Sequence, residues 1–288
     1  MNRMFYPPKK EGIHEEKHTI VAEKRSYVLT SRISDNSILL YIGGHHTYCI
    51  EAQIFKEDSY MRHMQDITLG DLPHVYYNEA CAIDDKFLRG TDTRRILKLI
   101  MSYVAKTYPH IRGFTFSDES TRECDDKQSV GLAFLHYLLY GETWYATVIG
   151  SDLFEKKDKD EFIDKNEKFQ KLKSKLPWND FKDIITTRLP ISEEIMKGYY
   201  ETSETWTAFF IKIRDKISAS TFCSFVAPWI NQFRKIFFQF DFTKVKHVVL
   251  FSNPKLTPLM EFELKTYVHR GGSSTRRRRS TRVQDVKE

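Results

Sequence analysis

Apolar and polar residues alternate through the first third of the chain. The alternation predicts strands at Tyr27-Val-Leu-Thr-Ser-Arg-Ile33, Ile38-Leu-Leu-Tyr-Ile42 and His46-Thr-Tyr-Cys-Ile-Glu-Ala-Gln-Ile54. Ser34-Asp-Asn-Ser37 and Gly43-Gly44 supply turn residues between them, so the three read as an antiparallel meander. A fourth alternating stretch, Val75 to Ile83, lies between Pro73 and Asp84-Asp85-Lys86 and predicts another strand. The period then changes. Apolar residues at 96, 97, 100, 103, 104 and 108 mark one face of a helix that opens at Asp92 or Thr93 and ends at Pro109. Gly113-Phe-Thr-Phe-Ser117 predicts a strand, Val130 to Tyr140 an apolar helix stopped by Gly141, and Thr143-Trp-Tyr-Ala-Thr-Val-Ile149 a further strand.

From Asp152 to Lys175 the chain is highly charged, with Phe162, Phe169, Leu172 and Leu176 at helical spacing, as in a surface helix or a connector. Two apolar helix faces follow, one carrying Trp206, Phe209, Phe210, Ile213 and Ile217, the other Phe222, Phe225, Val226, Trp229, Ile230, Phe233 and Phe237. Pro228 starts a new helix or kinks the second of these. Val245 to Phe251 predicts one more strand. The expected division is an extended arm over 1–24, an α/β domain over 25–150, a mostly helical region over 151–265 and a disordered Arg-rich tail over 266–288.

With 41% apolar residues over 288 positions, the chain can fill one large core or two ordinary ones. The net charge of +6 belongs mostly to the tail: Arg270 to Glu288 carries seven basic and two acidic residues, a net +5, which leaves the body close to neutral. Cys49, Cys81, Cys124 and Cys223 are widely spaced, with no C-x-x-C pair and no histidine at zinc-ligand intervals. That pattern favours reduced thiols in an intracellular compartment, and no metal site is expected. The start lacks an apolar core of signal-peptide length, and no run approaches the ~20 residues that span a bilayer. A soluble protein made in the cytosol is expected.

Candidate chemistry gathers at Phe87-Leu-Arg-Gly-Thr-Asp-Thr93, where a loop opens the central helix. Unpaired N–H groups and about half a positive charge at a helix N-terminus suit an anion. The alternative is an ordinary loop and helix cap. Glu79 alternates with Tyr77 and Cys81 on one strand face, as either a cleft base or a water-facing edge glutamate. Tyr137, on an apolar helix, suits a core tyrosine with its hydroxyl at the rim. The acidic stretch Asp118 to Asp126 lacks the glycine and terminal glutamate of a calcium loop and reads as a solvated turn. His45-His46 read as turn residues. Arg276, Arg277, Arg278, Arg279 and Arg282 can each pair with a phosphate. They suit nucleic acid or an anionic membrane surface, with targeting or solubility as the other readings.

The order meander, strand, anion loop, helix, strand, helix, strand, with Tyr137 four residues ahead of Gly141, resembles the GNAT family of N-acetyltransferases. Arg89-Gly-Thr-Asp-Thr93, Tyr108-Pro109, Phe114-Thr-Phe-Ser-Asp-Glu-Ser120 with Cys124, and Thr143-Trp-Tyr145 are similar to a group of GNAT-like proteins of large nucleocytoplasmic DNA viruses. Thr205-Trp-Thr-Ala-Phe-Phe210 and Phe222-Cys-Ser-Phe-Val-Ala-Pro-Trp229 extend that resemblance into the second half. It implies an α+β fold: a mixed, mainly antiparallel sheet flanked by helices, then a mostly helical region and the basic tail. In a working family member, acetyl-coenzyme A sits between the splayed fourth and fifth strands. By resemblance, Gly90, Thr91 and Thr93 would hold its phosphates, Glu79 would be the base and Tyr137 the acid.

The chain departs from the family in the loop itself. The phosphate signature Gln/Arg-x-x-Gly-x-Gly/Ala, aligned on Gly90, meets Phe87 and Asp92. Asp92 is also a favourable N-cap, so its carboxylate would take the N–H groups a phosphate needs. Two unit charges ~4 Å apart repel by about 4 kcal/mol at an effective dielectric of ~20. The resulting expectation is a structural or binding protein with a degenerate acetyl-coenzyme A loop and no cofactor, in the host cytoplasm or viral factory and in the virion or on its capsid. Its partners would be proteins, with nucleic acid or an anionic membrane met through the tail. The alternative is an acetyl-coenzyme A-dependent N-acyltransferase.

Overall fold

A long hairpin begins the computed structural model, which describes residues 13–266 apart from 57–61, 65–66, 76–77, 84–85, 89, 125, 185–189 and 257–258. His14–Ala22 (β1) and Arg25–Ile33 (β2) are joined through Glu23 and Lys24, both with positive φ, the turn form that matches the twist of paired strands. The expected extended arm is therefore a strand from residue 14 onward, and residues 1–12 lie outside the described ones. Ser37–Gly43 (β3) and Tyr48–Phe55 (β4) complete the meander where alternation placed it.

After the short Arg62–Met64 (β5) comes Ile67–Val75 (β6), eight residues upstream of the expected fourth strand. The strand expected over Val75 to Ile83 is replaced at its described residues beyond Val75: Glu79–Cys81 form a 3-10 turn, capped by the Asn78 side chain accepting from Ala80 N at 2.9 Å. Pro73 is inside β6, in the interval where its register against β4 shifts between Glu51 and Gln53. A residue without an N–H is tolerated at such an irregularity, so Pro73 does not bound the strand. Gly70 lets β6 pass close under Phe114, whose ring atoms would lie 2.7 Å from an added Cβ.

Thr91–Thr107 (α1) and Ile111–Ser117 (β7) follow as expected. Thr121–Glu123 (β8) and Ser129–Gly131 (β9) form a separate two-stranded ribbon, and Leu132–Tyr140 (α2) ends at left-handed Gly141. The stretch expected as a strand at Thr143 to Ile149 is instead the helix Trp144–Ile149 (α3). Thr143 caps it, accepting from Ala146 N, and Gly150 at φ 63° stops it. These two end signals outweigh the strand preference of its aromatic and β-branched residues.

Asp152–Leu153 (β10) precedes five helices: Lys156–Leu172 (α4), Trp178–Ile184 (α5), Glu193–Glu201 (α6), Trp206–Arg214 (α7) and Ala219–Phe233 (α8). The backbone stays helical through Pro228, and a π-turn over Arg234–Phe238 ends the run. Lys246–Leu250 (β11) and Glu263–Thr266 (β12) then return to the first sheet. The helices are thus inserted between two neighbouring strands.

That sheet has ten strands in the order β10-β11-β7-β6-β4-β3-β2-β1-β12, with β5 on β6. Among the described residues its pairings are antiparallel except β6 with β7. Mixed α+β architecture with a mainly antiparallel sheet is as the sequence implied. One core lies between the sheet, α1 and α3 and includes Tyr27, Ile42, Ile96, Ile100 and Phe114. A second is aromatic: Phe169, Phe181, Trp206, Phe209 and Phe233 meet α2 residues Phe134 and Tyr137. Ring pairs such as Phe169 on Trp206 at 5.4 Å and Trp206 on Phe233 at 4.8 Å add to the area they bury.

The cysteines correct a further expectation. Cys49 pairs with Cys81 and Cys124 with Cys223, at Cα separations of 5.9 and 5.5 Å, so no free cysteine remains. Spacing in sequence hid this, because each pair closes in space across 32 or 99 residues. The basic tail, with Arg276 to Arg279 and Arg282, lies outside the described residues. Among the described residues no helix is long and apolar enough to cross a membrane.

Candidate functional site at a strand fork

Strands β6 and β7 run side by side only from Thr68–Asp71 against Ile111–Thr115. Beyond that pairing β6 stays with β4 as far as Val75, while β7 stays with β11 as far as Ser117. The two strands therefore part, and the gap is a cavity of about 650 Å³ walled by Asp71 to Val75, Thr115 to Ser117 and the segment Glu119 to Thr121. A second cavity of about 320 Å³ shares Val75, Ser120, Thr121 and Tyr145 with the first. The two meet at the fork. A third, of about 310 Å³, shares Ser120 and Thr121 with both and reaches Gly131, Arg234 and Asp241.

Helix ends converge on the second cavity. Gly90 and Thr93, at the start of α1, and Leu132 and Ala133, at the start of α2, all line it. Neither helix has a side-chain cap: Gly90 and Gly131 occupy the cap positions, and a Cβ added to either would meet nothing within 4 Å. Gly90 has φ 80°, which few other residues adopt. One N–H of each end is used, Asp92 N donating to Leu88 O and Leu132 N to Ser120 O, both at 2.8 Å. Two positive helix ends around one open space suit a phosphate-bearing ligand.

The Asp92 side chain points elsewhere. It is fully buried, with Oδ2 accepting from Leu88 N at 2.5 Å and facing Arg25 Nη2 at 3.3 Å. Oδ1 accepts from the Tyr27 hydroxyl at 3.3 Å and from Arg95 Nη1. Arg95 also pairs with Glu23 at 2.8 Å, and Arg25 donates to Lys86 O at 2.9 Å. The expected obstruction of the helix mouth is therefore absent. Asp92 clamps the loop against the β1–β2 hairpin, and two arginines offset its charge. Phe87, where the family signature has Gln or Arg, is a fully buried core residue.

The residues expected to do chemistry are not brought together. Gly90 and Thr93 line the second cavity, and Thr91 is the exposed first residue of α1. Glu79 is exposed on the 3-10 turn, paired with Lys86 at 3.0 Å, outside both fork cavities. Tyr137 is buried in the aromatic core, its hydroxyl donating to Asn166 and accepting from Gln170 Nε2 at 3.0 Å. Burial pushes that phenol up to about 12. It borders a separate cavity of about 160 Å³.

Tyr145 was missed, because Thr143 to Ile149 read as a strand. It stands in the first turn of α3, in the wall common to both fork cavities. Burial, reinforced by the Asp118 charge, pushes its phenol up to about 12, so it stays protonated at neutral pH. Asp118, expected in a solvated turn, is buried and lines the second cavity. Burial raises its carboxyl above the usual range, against the pull of Ser120, His247 and His136. His247, stacked on Phe116 at 5.3 Å with Nε2 3.3 Å from Phe242 O, is lowered by burial against the charges of Asp118 and Asp152. A signal for Asp118 existed: it continues the alternation of buried Phe114 and Phe116.

No family model, curated protein or solved structure matches this chain. Among the described residues no cluster of three or more His, Cys, Asp or Glu could hold a metal ion.

Proposed function

We propose that this chain is a GNAT-type acyltransferase that binds a coenzyme A thioester in the fork between β6 and β7. The observation that carries the reading is the parting of the chain's parallel strand pair into two joined cavities, with the uncapped ends of α1 and α2 open to one of them. The thioester's phosphates suit Gly90, Thr93 and the α2 end, and its carbonyl the fork itself. An acceptor amine has the larger cavity, where Asp71, His74 and Glu119 supply polar groups. The amine nitrogen forms the new C–N bond, giving its proton to His74 or Glu119, and the C–S bond breaks. The departing thiolate takes up a proton, for which the proposed donor is Tyr145, in the wall of both cavities. The inward turn of Asp92 takes that carboxylate away from the mouth of α1, and burial holds Asp118, in the cavity wall, above the usual carboxyl range.

A structural or binding role in a virion, with the tail on nucleic acid or an anionic membrane, is the second reading. What favours it is that Glu79 and Tyr137 stand outside the fork. Thermal denaturation with acetyl-coenzyme A separates the two. At 100 times its Kd a ligand stabilises by about 2.7 kcal/mol, a rise of several degrees for a chain of this size. No rise up to millimolar concentration rules out the first reading. A rise without acyl transfer to any amine tested leaves a binding protein.

A further inference from the structure

Both walls of the fork are tied by a disulfide. Cys81 ends the 3-10 turn that leads into the Phe87–Gly90 loop, and its partner Cys49 is on β4. Cys124 directly follows β8, and its partner Cys223 is on α8. The two bridges differ in what else holds their wall. Around the first, Phe87 is fully buried, Ile83 N donates to Ser26 O at 3.0 Å, and Asp92 clamps the loop. That wall has tethers to spare.

The second wall is held through one strand: β9 packs on α8 through fully buried Val130 and runs on into α2, which leaves β8 to its pairing with β9 and to the bridge. Among the described residues β8 and β9 pair only with each other, and all three β8 residues are exposed. A two-stranded ribbon is marginal by itself. Within it Val130 and Cys124 are the buried hydrophobic residues, so the bridge to α8 is a main anchor. This ribbon and the segment leading into it carry Ser120 and Thr121 into all three cavities and Gly131 into the third.

We propose that the Cys124–Cys223 disulfide is a redox gate on the fork: oxidised, it pins the β8–β9 ribbon against α8 and completes the cavities; reduced, it releases the ribbon and opens them. Opening takes two electrons and two protons from a thiol reductant. A thiolate attacks one sulfur to form a mixed disulfide, and a second thiol displaces it, leaving two cysteine thiols and the oxidised reductant. Cys49–Cys81 serves as the internal control, because its wall stays held without it. The gate concerns the walls of the proposed acyl-coenzyme A site, but its readout needs no ligand.

The experiment is hydrogen exchange on the full chain, before and after equilibration with a phosphine or dithiol reductant, alongside the paired variants C124S/C223S and C49S/C81S. Reduction and C124S/C223S should each speed exchange at 121–131 at least tenfold and leave β2 and β3 unchanged, whereas C49S/C81S should leave 121–131 protected. Where the paired serine variant does not fold, reduced wild type supplies the same readout. Unchanged exchange at 121–131 after complete reduction, or free thiols at Cys124 and Cys223 in protein purified without reductant, overturns the gate. Acetyl-coenzyme A binding that survives reduction also overturns it, while absence of binding in the oxidised protein counts against the acyltransferase reading alone.

Discussion

Replacing Asp92 separates two opposite roles for one carboxylate. If it occupied the helix mouth, Asp92→Ala would cost little more than a lost cap, about 1 kcal/mol, and would strengthen anion binding. Relief of even a quarter of a ~4 kcal/mol repulsion is roughly fivefold in affinity. The structure predicts the reverse. The Asp92 side chain has no exposed surface, and Arg25 and Arg95 are each only 16% exposed. Removing the carboxylate takes one partner from each of two part-buried guanidinium groups, Arg95 keeping Glu23 and Arg25 keeping Lys86 O, and leaves Leu88 N and the Tyr27 hydroxyl without this acceptor. Breaking a buried ion pair from one side costs about 3–5 kcal/mol. For a chain of this size each kcal/mol moves Tm by roughly 2–4 °C, so Asp92→Ala should melt about 6–20 °C lower. Urea denaturation with matched slopes gives the free energy directly. The ligand response of Asp92→Asn, which keeps an acceptor for Leu88 N, should be no stronger than that of wild type. A loss below about 1 kcal/mol in Asp92→Ala, together with fivefold tighter binding of coenzyme A in Asp92→Asn, would refute the clamp.

Gly90→Val puts a β-branched side chain at φ 80° in the space open to the ligand, and should abolish any thermal shift with acetyl-coenzyme A while the far strands stay folded. Tyr145→Phe keeps the ring but removes the proton donor; kcat for acyl transfer should fall by about 10²–10⁴ with little change in KM, and an unchanged kcat excludes the role. Phe169→Ala empties the centre of the aromatic core and should cost about 3–5 kcal/mol by urea denaturation. Burial raises Asp118 above its ordinary 3.8, so the folded state holds more protons there and stability falls as pH rises from 3.8 through the raised value. Burial lowers His247 below its ordinary 6.5, so the folded state holds fewer protons and stability falls as pH drops below 6.5. Asp118→Asn should therefore gain Tm relative to wild type more at pH 7 than at pH 4, and equal gains at both pH values contradict the buried carboxyl.

Elements whose signal is local could be read from the sequence. The β2–β4 meander, α1, β7, α2 and the two apolar faces of α7 and α8 all follow from alternation, helical spacing and the stops at Pro109 and Gly141. The failures came where one punctuating residue carried two meanings. Pro73 served as a strand boundary but sits at a register shift inside β6, which pushed the expected strand eight residues too late and put Glu79 on a sheet it does not belong to. Thr143 and Gly150 are helix end signals, and they outweigh the strand preference of the β-branched and aromatic residues between them.

The site was less legible than the fold, because its defining pairs are far apart in sequence. Local rules make Asp92 a helix cap, since an acidic residue at that place usually accepts from the first turn. What turns it inward is Tyr27 and Arg25, more than sixty residues upstream, reached only once the β1–β2 hairpin packs beside the loop. Asp118 acquires its burial next to His247, a residue that arrives on β11 after the whole helical insertion. Cys124 finds Cys223 across the same insertion. In each case the local sequence supplies a polar group and the fold supplies its partner. The helical insertion therefore does more than add a second core: it delivers β11, His247 and Cys223 beside the fork, where Lys246 lines the larger cavity, and its core holds α2, whose start lines the second. Loss of the aromatic core should consequently open the fork before it disturbs the β2–β4 meander, an order that hydrogen exchange on Phe169→Ala can read.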